Sequence, residues 1–422
     1  MRFSTQQLAD AVKAQEPEML ALLSEFVACP SFSGSEQTAI AFLEPVLEGM
    51  GLAPERILLD SAALRTAPLY SPACDPDAGR YNLLAEHHPR NASGKSLLFN
   101  GHVDIVPTGP EHLWSRPPLQ ATILDDRLYG RGAGDMKSGI VCALAAFKAL
   151  RSLGAQPAAR VGFNAVLEEE NTGNGTLASV MRNMAYDAVI IPEPFAESLM
   201  SAQVGVLWLA IELTGSPAHV AYMSSGVNPI EAAIAIHAGL KRLEAEWNLP
   251  EHRHALYAGH QHPINFNLGR IEGGEWNSSV PCMCRMGVRI GFFPGVAVET
   301  VQRAVEASVR AALAALPNRL QVNFEYRGFQ APGCEFDLDH PAMRALAAAH
   351  EKVNGAPPER LAMTATTDAR HFQLISKLPV TCYGPQADSI HGVDEWVSIA
   401  SMRRVATVMA QFMQDWCTLE AI

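Results

Sequence analysis

Short apolar runs alternate with helical stretches in the first part of the chain, and a histidine or an acid follows each run closely. The runs have the length of buried strands and lie at 96–100, 161–167 and 188–191. Helical stretches are expected at 6–27, 36–50 and 140–150. Nearly continuous apolar strands joined by helices are typical of parallel sheets that are covered on both faces. The pattern therefore predicts an α/β domain with a mostly parallel mixed sheet between helices.

A different pattern begins after Pro194. A strand with alternating side chains lies at 206–212, and long helices follow at 229–246 and 298–316, with further strands between them. Alternation with a period of two indicates strands that are buried on one face, as in antiparallel sheets. This part of the chain, which ends near Arg327, is predicted to be an inserted α+β unit with an antiparallel sheet.

The α/β pattern returns after the inserted unit. It contains a short strand at 379–383 and a final helix whose apolar residues, from Ile399 to Trp416, share one face. A chain of 422 residues is also longer than one hydrophobic core usually serves. We predict an α/β domain built from 1–201 and 328–422, interrupted by a second domain at 202–327.

The charge of the chain argues against polyanionic partners. The 32 basic and 44 acidic residues give a formal net charge of −12, which repels nucleic acid. No apolar run reaches the ~18 residues of a membrane helix, and Asp10, Glu16 and Glu18 stand where a secretory signal would be apolar. The eight cysteines form no C-x-x-C pair, which favours reduced thiols. We predict a cytoplasmic protein without nucleic-acid or membrane partners.

Five segments place a histidine or an acid at a strand end or in a turn beside one. They are G-H-V-D with His102 and Asp104, G-A-G-D-M-K with Asp135, E-E-E at 168–170, P-E-P with Glu193, and H-G-V-D-E with His391. Each segment alone has an ordinary explanation, such as a surface loop or a group of solvated charges. A divalent cation would relieve the repulsion between clustered carboxylates. The five segments together therefore favour a metal site at the edge of the sheet.

The glycine-rich turn at 130–139 does not fit the known phosphate-binding loops. A Walker loop has Gly immediately before its Lys, and this chain has Met136 there. A dinucleotide-binding loop needs a third glycine where Asp135 stands. The turn is therefore interpreted as one that delivers Asp135 to the start of a helix.

The order and spacing of these segments resemble the acetylornithine deacetylase and succinyl-diaminopimelate desuccinylase family of dinuclear zinc aminoacylases and carboxypeptidases. The resemblance extends over nearly the whole chain. It implies a zinc-peptidase-like catalytic domain, with the inserted unit as a lid or dimerisation domain. It also implies hydrolysis of the amide bond of a small N-acyl amino acid, as in an acetylornithine deacetylase-like deacylase.

The resemblance assigns the metal ligands residue by residue. Asp135 would bridge two Zn²⁺ ions, with His102 and Glu193 on one ion and Glu170 and His391 on the other. Mixed nitrogen and oxygen ligands suit Zn²⁺, and Co²⁺ or Mn²⁺ are possible substitutes.

Three consecutive glutamates leave two registers open for the general base and the ligand, either 168 with 169 or 169 with 170. The family usually shows Asp-Glu-Glu before a glycine-containing turn, which aligns Glu168 with that Asp. Glu169 is then the general base that takes a proton from a water bridging the metals. Asp104 is expected to orient His102 and raise its basicity, because a ligating imidazole usually donates its other N–H to a carboxylate.

Further matches concern the substrate and a second subunit. His219, in G-S-P-A-H-V, would help to hold the developing oxyanion in the active site of a partner subunit, which implies a homodimer, although an ordinary loop histidine is the alternative. Arg370 would bind a substrate carboxylate by two-point contact, and Arg289 is a second candidate unless it forms a structural ion pair. Ser278 stands where many members have Asn, so one substrate hydrogen bond is expected to differ. A cis peptide bond is expected after Asp135.

Several alternatives stay open at this level. A carbamoyl-amide hydrolase or a dipeptidase of the same fold would need the same metals and base. A non-catalytic binding or scaffold member would normally have lost a ligand or the base, and none is lost here. Four histidines crowd the loop at 250–263, but no acidic ligand pattern accompanies them. These four, which are expected to face solvent, are His252, His254, His260 and His262.

Overall fold

The computed structural model describes residues 1–59, 61–75, 79–314 and 320–422. Its helices are α1 (Thr5–Val27), α2 (Gln37–Gly49), α3 (Ser61–Leu64), α4 (Ser138–Ser152), α5 (Asn174–Val180), α6 (Pro229–Trp247), α7 (Val298–Leu313), α8 (Pro341–Asn354), α9 (Ala369–His371) and α10 (Ile399–Trp416). Helix α7 was predicted to reach 316; it ends at Leu313, and 315–319 lie outside the described residues.

The strands are short and are listed here in chain order. The first nine are β1 (Ala53–Leu58), β2 (Tyr81–His87), β3 (Leu97–His102), β4 (Thr122–Leu124), β5 (Arg127–Tyr129), β6 (Ala155–Pro157), β7 (Val161–Val166), β8 (Val189–Ile191) and β9 (Leu199–Gln203). The next are β10 (Gly205–Thr214), β11 (Ala218–His219), β12 (Phe266–Gly273), β13 (Ser279–Val280), β14 (Met283–Phe292), β15 (Gln321–Glu325), β16 (Gln330–Ala331) and β17 (Cys334–Glu335). The last are β18 (Arg360–Met363), β19 (Val380–Cys382), β20 (Ala387–Asp388), β21 (Trp396–Ser398) and β22 (Leu419–Ala421).

A six-stranded mixed sheet has the order β1-β2-β7-β3-β8-β19. The four strands from β7 to β19 run parallel, whereas β1 and β2 are antiparallel to their neighbours. β3 and β7 are buried along their whole length, as expected for strands covered on both faces. Helix α4 packs against α1 and α10, and α2 packs against β1 and β2. The predicted α/β fold class is confirmed.

A second sheet, which is antiparallel, has the order β12-β14-β10-β15, and β16 also pairs with β10. Buried and less buried residues alternate along β10, which indicates one face toward a core. Helices α6 and α7 pack against each other, and α6 also contacts β12 and β14. The predicted α+β unit with an antiparallel sheet is therefore present.

The buried apolar side chains form two clusters. The larger cluster draws on 8–200 and 334–419, and the smaller one draws on 202–331 together with Ala362. The domain boundaries after 201 and 327 stay a prediction. No helix among the described residues combines the length and the hydropathy of a membrane span.

Buried polar side chains join β2, β3 and β7 to helix α5. Asn164 Nδ2 donates to Asn100 Oδ1 at 2.7 Å, and Asn100 Nδ2 donates to Thr176 Oγ1 at 3.0 Å. Asn82 Nδ2 donates to Ser179 Oγ at 3.0 Å. All five side chains are buried, so each hydrogen bond replaces one that water would otherwise make. Together with α5, the network holds β2, β3 and β7 to one another near the edge of the sheet at which β3 and β7 end.

We expect Asn100→Ala to lower the free energy of unfolding by about 2–4 kcal/mol, because Asn164 and Thr176 each lose a buried hydrogen-bond partner. Urea unfolding of the metal-free protein measures this change. The matched control is Asn91→Ala on the surface, which we expect to change stability by no more than about 0.5 kcal/mol. Equal stability of the two variants would contradict the role of the network.

Candidate metal centre

Neighbouring parallel strands deliver acids and a histidine to one edge of the central sheet. β3 ends at His102, the chain leaves β7 for the glutamates at 168–170, and Glu193 follows β8. The carboxyl ends of parallel strands meet at the same edge, so these side chains lie close together. Asp135, in the irregular turn before α4, and His391, in the loop between β20 and β21, complete the group.

His102 lies within one set of potential ligand atoms. Its Nε2 atom is 3.0 Å from Asp135 Oδ1 and 3.8 Å from Glu193 Oε1. Its Nδ1 atom is 3.0 Å from the backbone oxygen of Asp104 and 3.6 Å from the carboxylate of that residue. The backbone oxygen is thus the hydrogen-bond acceptor, and the expected contact with the Asp104 carboxylate is longer than a hydrogen bond.

The other carboxylate oxygen of Asp135 faces a second set of ligand atoms. Asp135 Oδ2 is 3.5 Å from His391 Nε2, and the same Nε2 is 3.1 Å from Glu170 Oε2. Asp135 therefore has one oxygen toward each imidazole. A cis peptide bond joins Asp135 to Met136, as the resemblance implied.

Two triads of ligand atoms are each compact enough to hold a metal ion. Within each triad the atoms lie within 4.8 Å of one another, and the triads are His102 with Asp135 and Glu170, and His102 with Glu169 and Glu193. Burial, and then the neighbouring Asp135, raises the pKa of Glu193 well above its usual range. Glu169 Oε1 is buried and has no hydrogen-bond partner among the described residues. Mutually repelling carboxylates around such an oxygen, with imidazole nitrogens beside them, fit a divalent cation.

The carboxylates of the centre favour the charged form of both imidazoles in the metal-free chain. Burial lowers the pKa of His391, but the carboxylates of Glu170 and Asp135 raise it by more than burial lowers it. The net result is a pKa of about 11. Burial raises the pKa of Asp135, but the hydrogen bond from His102 and the nearby His391 imidazole outweigh burial and hold this pKa low. Ligating imidazoles must be neutral, so metal binding at this centre would release protons.

Asp104 connects two ligand-bearing segments. Its Oδ1 atom accepts a hydrogen bond from the backbone N–H of Glu169 at 3.2 Å, and Oδ2 accepts one from Glu170 at 3.0 Å. Its backbone oxygen holds the His102 ring. A single buried residue therefore fixes the turn of the glutamates relative to the end of β3.

Glu168 is engaged outside the two triads. Its carboxylate pairs with the buried Arg80 and accepts a hydrogen bond from Thr172 Oγ1 at 2.6 Å. Arg80 also pairs with Glu36. The two triads include Glu169 and Glu170 but not Glu168. The register of base and ligand stays a prediction.

Arg131 and Glu395 form a buried ion pair beside the centre. Arg131 lies in the glycine-rich turn at 130–139, and Glu395 lies in the H-G-V-D-E motif. Neither residue is assigned a role by the sequence motifs. The two positions are 264 residues apart, so only the folded chain reveals the pairing. The sequence did contain one clue: the glycine-rich motif carries a positive charge at Arg131, and the H-G-V-D-E motif carries a negative charge at Glu395.

The loop that carries His391 has an unusual backbone. Ser389, His391 and Asp394 have φ values of 56°, 61° and 56°, which lie in the left-handed region. Non-glycine residues in this region cost about 1 kcal/mol or more each and persist where their surroundings hold them. Asp394 Oδ1 accepts a hydrogen bond from Ser115 N at 2.8 Å, which is one such restraint.

The two arginine candidates lie in different environments. Arg370 is fully buried, and its Nη1 and Nη2 atoms donate to the backbone oxygens of Thr367 at 2.8 Å and Thr172 at 2.9 Å. Arg289 is half-buried on β14, where Nη2 lies 3.5 Å from Thr364 O. Burial lowers the pKa of Arg289, and no acid in the described part of the chain offsets this effect. The alternative of a structural ion pair for Arg289 therefore finds no partner within those residues.

His219 and Ser278 lie on the surface of the inserted unit. Both residues are exposed, and His219 Nδ1 accepts a hydrogen bond from Ala221 N at 3.1 Å. No described contact joins His219 to the ligand triads of the same chain. The ring centroids of His219 and Tyr222 are 6.4 Å apart. Tyr222 and Trp276 are large side chains of the same unit and are 72% and 73% exposed.

The four histidines of the loop at 250–263 lie in two environments, and only two of them are exposed as expected. His252 and His262 are exposed, whereas His254 and His260 are half-buried. His254 Nε2 is 3.2 Å from Glu335 Oε1, and His262 Nε2 is 2.9 Å from Glu244 Oε1. None of the four belongs to a group of metal ligands among the described residues.

The chain is similar to a known protein family and to several solved structures. The model of peptidase family M20/M25/M40 matches residues 98–415. The fold is shared with the dipeptidase Dug1p from Saccharomyces cerevisiae at 16% identity and a TM-score of 0.83, covering 99% of both chains. Human carnosine dipeptidase 1 is 17% identical, with a TM-score of 0.78 over 98% of this chain and 99% of its own. Bacillus subtilis YXEP protein, a dinuclear metal binding peptidase of the M20 family, is 13% identical, with a TM-score of 0.59. The match covers 95% of this chain and 98% of the YXEP protein.

The family model covers most of the chain, including every segment that carries a ligand atom of the two triads. The sequence resemblance predicted the narrower group of acetylornithine deacetylases and succinyl-diaminopimelate desuccinylases. The family model shows only the broader family, so the narrower group stays a prediction. The chain belongs to peptidase family M20/M25/M40 and is a metal-dependent amidohydrolase.

Proposed function

We propose that this amidohydrolase cuts the amide bond of a small N-acyl amino acid whose carboxylate is free. The observation that carries the proposal is the buried Glu169 carboxylate, which has an unpartnered oxygen and shares a triad with His102 and Glu193. An acid in this position can exchange a proton with a reacting group without first breaking a hydrogen bond in the protein.

The proposed cofactor is a pair of Zn²⁺ ions, with Co²⁺ or Mn²⁺ as substitutes. Asp135 would contact both ions, which agrees with its two oxygens facing His102 and His391 separately. His102 and Glu193 would complete one position, and Glu170 and His391 the other. Bound divalent cations would polarise the scissile carbonyl and lower the pKa of the attacking water.

The chain itself supplies proton transfer and orientation. Glu169 takes a proton from the attacking water and delivers it to the leaving nitrogen, so it must be ionised at the start of the reaction. Burial raises the pKa of Glu169 well above its usual range, and nearby positive charge would lower it again. Asp104 holds the Glu169 backbone, which restricts the positions that this carboxylate can reach.

Arg289 is the stronger candidate for the substrate carboxylate. It is half-buried without an acidic partner among the described residues, so an incoming carboxylate would gain a charge-assisted hydrogen bond. The guanidinium of Arg370 already donates to two backbone oxygens and has no exposed surface. Ser278 lies on the exposed loop near His219 and stays a predicted position of altered substrate contact.

A dipeptide is the second candidate substrate, since a dipeptide is an amino acid with an aminoacyl group on its nitrogen. Similarity to Dug1p and to human carnosine dipeptidase 1 over nearly whole chains favours it. A panel of N-acetyl and N-succinyl amino acids, dipeptides and ureido acids, tested on zinc-loaded protein, separates these classes. Binding of metal without any turnover across the panel would contradict the proposed function.

A second copy of the chain is proposed to complete the site. His219 is exposed, and its ring lies 6.4 Å from the ring of the exposed Tyr222. Trp276 is a further large exposed side chain of the same unit, as expected for a surface presented to another subunit. There it would donate a hydrogen bond to the developing oxyanion.

We expect Glu169→Gln to reduce kcat by about 10²–10⁴-fold while both metals remain bound, because the amide cannot accept the proton. Turnover and metal content are measured on the same preparation. The matched variant is Glu170→Gln, which we expect to lose metal as well as activity. Normal turnover of Glu169→Gln would overturn its assignment as the base.

We expect Arg289→Met to lower kcat/KM for a carboxylate substrate by about 10- to 100-fold through KM, since a hydrogen bond to a charged group is lost. The same substrate as its carboxamide should be cleaved equally by wild type and variant. Arg370→Lys is the matched comparison. We expect it to lower the stability of the protein and leave KM unchanged, because the buried guanidinium donates to two backbone oxygens. A KM increase confined to Arg370→Lys would instead assign the carboxylate contact to Arg370.

We expect activity to return when inactive Glu169→Gln and inactive His219→Ala chains are mixed and allowed to exchange subunits. If His219 acts across a dimer, each mixed dimer has one site without either substitution, which gives about a quarter of wild-type activity after random exchange. Sedimentation confirms that dimers form. Dimers that exchange without recovering activity would show that His219 does not act in a neighbouring site.

A further inference from the structure

The buried pair of Arg131 and Glu395 connects the two loops that carry Asp135 and His391. Glu395 Oε1 accepts hydrogen bonds from the backbone N–H groups of Gly134 at 2.9 Å and Asp135 at 3.0 Å. Glu395 Oε2 accepts one from Arg131 Nη1 at 2.5 Å, and Arg131 Nη2 donates to Gly392 O at 2.8 Å. The pair thus holds the backbone of Asp135 itself and of the residue directly after His391.

We propose that Arg131 and Glu395 are positioning residues that set the separation of the Asp135 carboxylate and the His391 imidazole. Through this separation they determine how tightly a metal ion binds between Asp135, Glu170 and His391, which we name the outer position. The inference rests on the proposed function, because it assumes that these side chains are metal ligands.

The outer position needs such support more than the inner one, which comprises His102, Asp135 and Glu193. His102 ends a strand that pairs on both sides, and Glu193 follows a neighbouring strand. His391 instead lies in a loop with left-handed residues, and its side chain is 53% exposed. The sheet therefore fixes the inner ligands, whereas a side-chain pair must fix His391.

Glu395 is not itself a ligand in this geometry. Both of its oxygens are occupied by donors from the protein, and it belongs to neither triad among the described residues. Its contacts repeat those of Asp104, which accepts hydrogen bonds from the consecutive N–H groups of Glu169 and Glu170. Each of these two carboxylates thus fixes one ligand-bearing turn through its backbone.

The test is Glu395→Gln in the full-length chain. The amide oxygen can still accept from Gly134 and Asp135, but the amide N–H₂ must then face the Arg131 guanidinium, donor against donor. We expect the affinity of the second Zn²⁺ to fall about 10- to 100-fold, as for other partners that orient metal ligands, while the first Zn²⁺ binds as in wild type. Competition with a chelating indicator measures both affinities, and metal analysis after dialysis should fall from about two ions per chain to about one.

Further variants separate positioning from general stability. Arg131→Met breaks the same link and should lower the same affinity, and the double variant should be no worse than either single variant. The control is Arg403→Met, which breaks an ion pair between α10 and α1 at Glu16 and should leave both affinities unchanged. Thermal midpoints of metal-free proteins show how much stability each change removes.

Two results would overturn the inference. One is wild-type affinity for two ions in Glu395→Gln with only a lower thermal midpoint, since that describes a purely structural pair. The other is an equal loss at both positions. His102 and Glu193 have no hydrogen bond to the pair among the described residues, and the inner position shares only Asp135 with the outer one, so the loss should be larger at the outer position. If the wild-type chain bound no Zn²⁺ at all, the proposed function would fail, and the comparison with wild type distinguishes that case.

Discussion

Like charge gathered in a small, largely buried volume is the constraint on which the rest of this structure depends. Asp135, Glu169, Glu170 and Glu193 meet at one edge of the sheet. At an effective dielectric constant of 20, two like charges about 4 Å apart repel by about 4 kcal/mol. Such a group needs positive charge beside it. In the metal-free chain His102 and His391 are suited to supply part of that charge, because these carboxylates raise the pKa values of both imidazoles against the effect of burial.

The same constraint explains why other carboxylates nearby are used differently. Asp104, Glu168 and Glu395 are buried too, but each has its oxygens engaged by backbone N–H groups, hydroxyls or arginines. Buried acids are tolerated when donors satisfy them. The acids at this edge thus divide into those that hold the backbone and those left facing one another. The second group comprises the proposed metal ligands Asp135, Glu170 and Glu193 and the proposed base Glu169.

Much of the fold could be predicted because local patterns decided it. The apolar runs marked β3, β7 and β8 to within a few residues, and alternation marked the antiparallel sheet. The position of the acids at strand ends followed from the direction of parallel strands. Pairings between distant segments could not be predicted. Arg80 with Glu168, and Arg131 with Glu395, join residues 88 and 264 positions apart, and nothing in either local sequence names its partner.

The roles of single side chains were harder to predict than their positions. The Asp104 carboxylate was expected to contact the imidazole of His102, but the backbone oxygen of Asp104 makes that contact, and the carboxylate is left for the glutamate turn. Arg370 matched a motif, and its complete burial is a property of tertiary packing that no motif shows.

The distance along the chain between the gathered residues bears on how the protein is made. His391 and Glu170 are 221 residues apart, and the segment between them includes the whole second hydrophobic cluster. During synthesis the glutamates leave the ribosome well before the histidine, and contacts of such long range form late in folding. A nascent or truncated chain that lacks His391 would therefore carry four of the five proposed ligands, so the outer position would be completed only after His391 has been translated.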